Sequence, residues 1–535
     1  MLESLRMIDV VIVGAGFSGL HALSAMRARG LSARVIEAGS GVGGTWYWNR
    51  YPGARCDVET TDYQFSFDDR IVAAWTWSER YASQPEILAY LNYVADLLDL
   101  RSGIQFDTRV VGAEFDEAAA RWQVTTDRGE QIVARYCVMA TGCLSSARIP
   151  DIPGRDSFAG PSFHTGRWPH AGVDFTGLEV GVIGTGSSGI QSIPVIARQA
   201  RHLTVFQRTP NFSVPAHNRP RDPADEARMK LTFAANRERA RRTVQGVFGS
   251  WVANDKSALE VGDDERSEEF ERRWAHGGFG FLEAFTDMWT SRAANDHAAE
   301  FVRAKIRGIV DDPAVAELLS PIDHPLGTKR LCVDIDYHAT FNRPNVTLVD
   351  LRATPIEEIT PRGVRTSAGE YGLDLIVFAT GYDAMTGALL ELDIRGRGGL
   401  TLAEKWSAGP VTYLGLQTCG FPNLFMITGP GSPSVLSNML TSIEQHVEWV
   451  ADCIAHLDAN GRKWIEAEPA AESAWVAHVN ELAHETLLPE ADSWYMGANI
   501  PGKPRVFMPY TGGVGSYRAK AEQVAADGYA GFTIR

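Results

Sequence analysis

Two glycine patterns, GAGFSG at residues 14–19 and GTGSSG at residues 184–189, constrain the fold of this chain more than any other feature. Each sits between an apolar run of strand length and a segment with helical spacing. Residues 8–13 read as a buried strand, 14–19 as a turn and 20–29 as a helix ended by Gly30, with the next parallel strand at 34–37. The series recurs as strand 179–183, turn 184–189, helix 190–200 and strand 203–207. A glycine turn in that setting brings backbone N–H groups against a pyrophosphate at the N-terminus of the following helix. The expected fold class is therefore α/β, with two Rossmann-like dinucleotide-binding domains. A glycine pattern by itself is also satisfied by a plain tight turn, so the residues closing the next strand carry the argument.

Those residues differ between the copies. Glu37 closes the strand of the first, roughly 20 residues past the turn, where a carboxylate accepts from both hydroxyls of a ribose. The second closes on Gln207, Arg208 and Thr209. A carboxylate would repel a 2′-phosphate, whereas a guanidinium grips it through bidentate, charge-assisted hydrogen bonds. The first unit is expected to hold FAD, through Gly14, Gly16, Ser18, Gly19 and Glu37. The second is expected to hold NADPH, through Thr185, Gly186, Ser187, Ser188, Gly189, Ile190, Gln191, Arg208 and Thr209. The plain alternative for Arg208 is a solvated charge at a strand end.

Between residues 222 and 317 charged and apolar residues alternate at helical spacing, which predicts a helical insertion. Apolar runs at 346–349 and 373–379 suit completion of the second sheet, after which the first domain resumes. The expected division is FAD-binding domain 1–145, NADPH-binding domain 146–218, helical insertion 219–328, NADPH-binding domain 329–380 and FAD-binding domain 381–535. Residues 437–457 have a long helical pattern, and 493–505 read as a loop.

A net charge of −15, from 66 acidic against 51 basic residues with no compensating basic patch, opposes capture of nucleic acid or of an anionic membrane. The six cysteines form no CxxC pair and the 13 histidines no HExxH spacing, so neither a metal nor a dithiol centre is expected and a reducing cytoplasm fits. The apolar stretch 7–26 contains Asp9, Ser18 and His21 and reads as strand, turn and helix, not as a membrane segment. A monomer or weak homo-oligomer is expected.

Just ahead of the second turn runs FAGPSFHTGRWP, with Phe158, Gly160, His164, Trp168 and Pro169 at the spacing FxGxxxHxxxWP. Gly160, Pro161, Gly166 and Pro169 argue for an irregular linker between domains and for a hinge role of His164, not acid–base work. This pattern between two GxGxxG turns resembles the type I Baeyer–Villiger monooxygenases, flavoproteins with FAD and NADPH on one chain. GGTWYWNRYPGARCD at 43–57, GTKR at 327–330 and SWYMGANIPGKPR at 493–505 are similar to that family too, most of all to its phenylacetone and steroid monooxygenases. The resemblance spans nearly the whole chain.

The resemblance implies a conversion of ketones to esters or lactones that uses NADPH and O2, in which a flavin C4a-peroxide attacks the carbonyl. It places the required cation on Arg330 and its carboxylate on Asp57. Arginine suits the task because it stays charged when desolvated, and a buried charge needs a partner. On the residues alone, Asp57 also reads as the cap of a helix starting near Val58. Lys329 would join Arg208 and Thr209 around the 2′-phosphate. Thr45, Trp46, Tyr47, Trp48, Arg55, Cys56, Asp57, Val58, Tyr63, Val110 and Met439 match the family's flavin-side positions. Trp494 either closes a loop over the nicotinamide or anchors that loop to the core. Residues 432–439 match a substrate-facing loop, which implies bulky aryl, cyclic or steroid ketones. One rival is a flavin monooxygenase that oxidises nitrogen or sulfur, against which the complete fingerprint and Arg330 count. The other is a flavoprotein reductase or nicotinamide sensor, whose disulfide-reducing version the absence of CxxC removes.

Overall fold

The computed structural model describes residues 7–249 and 251–535, and two sheets organise them. In the first, Met7–Val13 lies between Ala33–Ile36 and Gln131–Met139, parallel to both, with Val10, Val11 and Ile12 fully buried. An unbroken apolar run is what a parallel strand covered on both faces requires. The sheet extends to Ile104–Gln105 on one side, and on the other through Arg121–Thr126 and Val110–Asp116 to Asp393–Arg395. Leu424–Met426 pairs with the distal half of Gln131–Met139, so the chain leaves this sheet and returns to it after the second.

The second sheet has five parallel strands in the order Val346–Asp350, His202–Gln207, Glu179–Ile183, Leu375–Phe378, Ser162–His164. Both glycine turns thus leave from strands inside their sheets, at the C-terminal edge where open α/β sheets bind ligands. The helices after them span Phe17–Ala28 and Ser187–Gln199, each starting three residues ahead of the expected position. The last glycine of each pattern lies within the first turn. Gly14 has φ +104° and Gly184 +109°, and a Cβ there would stand 2.7 Å from the Ala140 carbonyl oxygen and 2.5 Å from that of Ala379, so both turns demand glycine.

The fingerprint is not the irregular linker expected of it. Ser162–His164 is the edge strand of the second sheet, paired with Leu375–Phe378, and Thr165–Arg167 forms a single 3-10 turn. Its glycines and prolines bound a short strand at the sheet edge, where such residues are tolerated.

The insertion is helical: Pro223–Ala240, Asp263–His276, Arg292–Ile309 and Pro313–Leu319. Asp222, Ser291 and Asp312 cap three of these with their side chains. Phe270, Val302 and Ile306 from the insertion share one apolar cluster with Val180, Val182 and Val205 of the second sheet. On the first sheet, Phe17–Ala28 packs with Met439–Ala459, the long helix, which begins two residues later than expected because Asn438 caps it by accepting from Leu440 N at 3.1 Å. Among the described residues no helix is long and apolar enough to cross a membrane.

Candidate active site

The first cradle is shaped by Glu37, which is 5% exposed and accepts from Ala15 N at 2.6 Å and Gly39 N at 2.7 Å. Burial raises its pKa against the pull of those N–H groups, so the carboxylate gains from any further donor. Gly16 caps the following helix without any side-chain hydrogen bond, leaving first-turn N–H groups for an anion. Beside it begins the short helix Thr45–Trp48, whose Trp46 indole donates to Tyr63 Oη at 3.1 Å. Cys56, Val58, Tyr63 and Met439 join Trp46 in one apolar cluster, while Ser18 is buried in the helix behind the turn. Val110 belongs to a different cluster, on the far face of the sheet, but its segment returns beside Glu37 through Thr108 N to Glu37 O at 2.9 Å. Thr45 is exposed, and Arg55 pairs with Glu79. The residues present fit a dinucleotide with an unphosphorylated ribose.

The second cradle has the same plan with different charges. Gly186 caps its helix with no side-chain bond, and a Cβ there would meet open space. Thr185 ties the turn to the next strand by donating to Thr209 O at 3.0 Å, and Ser187 Oγ lies 3.3 Å from Cys332 Sγ. Arg208 is exposed, and Lys329 is half-buried nearby. Burial lowers the Lys329 pKa, Asp323 opposes this and Arg208 adds to it. Among the described residues neither cation has a carboxylate within ion-pair distance, which fits a phosphate ligand. Gln191 looks the other way: it accepts from Tyr51 Oη at 2.8 Å and donates to Arg55 O at 3.1 Å, joining the second unit to the first.

Between the cradles stands Arg330, at the end of the insertion. Its Nε lies 3.0 Å from Asp57 Oδ2, its Nη2 lies 3.0 and 2.9 Å from the two Asp57 oxygens, and its Nη1 donates to Val435 O at 2.7 Å. Asn211 fixes the Arg330 backbone at 3.0 Å, and the Phe279 ring centroid lies 4.6 Å from the guanidinium carbon. Burial opposes the charge, but Asp57 and Tyr495 more than offset it and the pKa is raised. No helix starts at Val58, so the capping alternative for Asp57 falls away. A cavity of about 70 Å³ opens beside the pair, walled by Asp57, Phe279, Trp289, Arg330, Leu436 and Tyr495. An enduring cation beside an apolar space is suited to hold negative charge away from water.

Tyr495 is the residue the sequence reading passed over. It is 2% exposed, and burial pushes its phenol up to about 12 despite the neighbouring Arg330. Its neighbour Trp494 is half-buried with its ring centroid 4.3 Å from that of Tyr495, inside a cluster that includes Val435 and Phe507. Residues 493–505 are more ordered than a plain loop: Trp494–Met496 is a 3-10 turn, Asn499 donates to Tyr382 O at 2.8 Å and Lys503 pairs with Asp383. His164 is buried at the end of its strand, where Nδ1 accepts from Gly166 N at 2.9 Å and desolvation lowers its pKa to about 4. A neutral imidazole so placed positions the turn and carries no charge at neutral pH.

Two dinucleotide cradles meeting at a paired guanidinium define a flavoprotein that draws on NADP(H). The family model described as pyridine nucleotide-disulphide oxidoreductase matches residues 11–236. A Baeyer–Villiger monooxygenase of Pseudooceanicola batsensis is 45% identical over 525 residues, covering 97% of this chain and 95% of its own. A phenazine N-monooxygenase of Lysobacter antibioticus is 44% identical, covering 98% and 97%. A solved structure described as oxidized steroid monooxygenase bound to NADP is 55% identical, covers 99% of both chains and superposes with a TM-score of 0.94. The chain belongs to the Baeyer–Villiger monooxygenase family, whose cofactors are FAD and NADP(H). All six cysteines are free, and burial pushes the thiols of Cys143 and Cys332 up to about 11 and about 12.

Proposed function

We propose that this chain converts bulky aryl, cyclic or steroid ketones to esters or lactones, with Arg330 and Asp57 at the reacting centre. The observation that carries the reading is the bidentate Arg330–Asp57 pair set in the wall of an apolar cavity between the two cradles. Bound FAD, once reduced by NADPH, supplies the activation of dioxygen. Arg330 holds a fixed positive charge where negative charge develops on oxygen, and Asp57 and Val435 O hold its plane. Tyr495 and the apolar cavity wall limit the water that reaches that charge. Gly14, Gly16, Ser18, Gly19 and Glu37, with residues 45–48, 55–58, Tyr63, Val110 and Met439, hold the flavin nucleotide in this reading. Residues 185–191, Arg208, Thr209 and Lys329 hold NADPH, and Trp494 anchors the segment over the nicotinamide. In this reading the domain division is 1–145, 146–218, 219–328, 329–380 and 381–535, and residues 393–395 and 424–426 in the first sheet support the return of the FAD-binding domain. Leu436, Ser437 and Asn438 lining the cavity support a substrate-facing role of residues 432–439, and the steroid enzyme's likeness supports bulky ketones. Six unpaired cysteines support a reducing cytoplasm, and we place the chain there as a monomer or weak homo-oligomer.

A second reading, oxygenation at nitrogen, is favoured by the likeness to the phenazine enzyme. A panel from cyclohexanone through arylacetones to steroid ketones, with phenazine as a further arm, separates the two. Esters or lactones formed in step with NADPH use are expected. N-oxide formation with every ketone untouched would overturn the proposal.

A further inference from the structure

We propose that Arg352 is a third cation of the 2′-phosphate site, presented by Asp323 beside Arg208 and Lys329. This rests on the reading of the second cradle as an NADPH site. Val346–Asp350 and His202–Gln207 are adjacent parallel strands in which Asp350 lies opposite Gln207, and Leu351 N still donates to Gln207 O at 2.8 Å. Arg208 follows the end of one strand and Arg352 lies two residues past the end of its neighbour, so both leave the sheet at the same C-terminal edge. Arg352 turns there at once, its N–H donating to Asp350 Oδ1 at 2.9 Å.

The guanidinium of Arg352 donates from Nη2 to Asp323 Oδ2 at 2.5 Å. Asp323 is braced on its other oxygen by His324 Nδ1 at 2.6 Å and belongs to the loop that ends in Lys329. One ion pair therefore ties the end of a sheet strand to the segment that carries the half-buried lysine. The Arg352 side chain is 41% exposed, and among the described residues its guanidinium has no other ion-pair partner. Burial lowers the Lys329 pKa; Asp323 and Asp492, the latter itself paired with Arg505, oppose this, while Arg208 and Arg352 add to it. Arg208 and Arg352 thus repel the same ammonium that Asp323, already engaged by Arg352, attracts. A phosphate dianion relieves the repulsion, and a hydroxyl at the same position does not.

Isothermal titration of the FAD-loaded protein with 2′,5′-ADP and with 5′-ADP tests this without turnover. Wild type is expected to prefer 2′,5′-ADP. Arg352→Gln should weaken 2′,5′-ADP by about tenfold and leave 5′-ADP unchanged, as loss of one charge-assisted contact requires. Arg352→Lys should recover part of the loss. If Arg352→Gln binds both ligands as wild type does, or weakens both equally through a loosened loop, the proposal is overturned. In that case an Arg208→Ala variant that still loses the preference leaves the NADPH reading standing. A wild type without any preference would sink that reading and the proposal together.

Discussion

Replacing Arg330 by alanine separates its part in folding from its part in chemistry. The substitution removes three contacts of 2.9 to 3.0 Å to Asp57 and one of 2.7 Å to Val435 O, and leaves the carboxylate without its cation. Breaking a fully buried pair costs about 3 to 5 kcal/mol. Here the side chains are 23% and 26% exposed, so water reaches the orphaned carboxylate and about 2 kcal/mol is the expected loss of stability. In a chain of this size that lowers Tm by only a few degrees, and the variant should purify with FAD bound. The chemical loss is larger, because removing one preorganised donor costs about 100- to 1,000-fold in rate and this donor carries a full charge. The assay is ester formed per NADPH consumed, with hydrogen peroxide release measured in parallel. Coupling should collapse while the fold persists. Arg330→Lys should recover little, since an ammonium cannot engage both Asp57 oxygens and Val435 O from one plane. Near-normal coupling in Arg330→Ala would refute the assignment of this centre to Arg330 and Asp57.

Arg208→Ala should weaken NADPH by roughly 10- to 150-fold and NADH far less, read from KM for each nucleotide; an unchanged preference would count against the second cradle's assignment. Glu37→Arg should abolish FAD content after purification, because a cation replaces the acceptor already engaged by Ala15 N and Gly39 N; full flavin occupancy would show that Glu37 does not face the ribose. Asp62, buried in the cavity wall, is pushed up from 3.8 to about 6 by burial, against the pull of Arg237. Between those values the folded chain binds the more protons, so stability falls as pH rises through this window, by about 3 kcal/mol in all. Asp62→Asn should therefore gain on wild type in denaturant unfolding from pH 4 to pH 7, and a constant difference across that range would contradict the buried, proton-binding Asp62.

The two nucleotide units were legible because everything that defines them is local. The glycine turn, its helix and the strand ending in Glu37 or Gln207 all fall within about 25 residues, inside the span over which periodicity and turn chemistry speak. Element ends moved by one to three residues, since a helix begins wherever its first turn closes and the last glycine of each pattern already lies in that turn. Ser162–His164 was hidden for the opposite reason. Three residues among glycines and prolines become a strand because Leu375–Phe378, some 210 residues on, offers an edge to pair with. Gln191 was expected only to face NADPH. Its hydrogen bonds to Tyr51 and Arg55 depend on how the two units dock, which no local pattern records.

The reacting centre shows where charge logic stops. Arg330, Asp57, Phe279, Val435 and Tyr495 come from five separate segments; the family resemblance named Arg330 and Asp57, and physics added only that a buried guanidinium needs a carboxylate close to it. A neutral phenol answers no such demand, so nothing in the sequence raised Tyr495 above its neighbour Trp494. Its place against Arg330 nevertheless makes the segment 493–505 part of the centre's electrostatics. That segment is held by Asn499 on Tyr382 O and by Lys503 on Asp383, and Tyr382 in turn donates to Asn49 Oδ1 at 2.6 Å, just past the helix Thr45–Trp48. Lifting the segment would expose Arg330 to more water and weaken the interactions its charge makes. Whatever holds residues 493–505 in place therefore also bears on the surroundings of Arg330, through Tyr495.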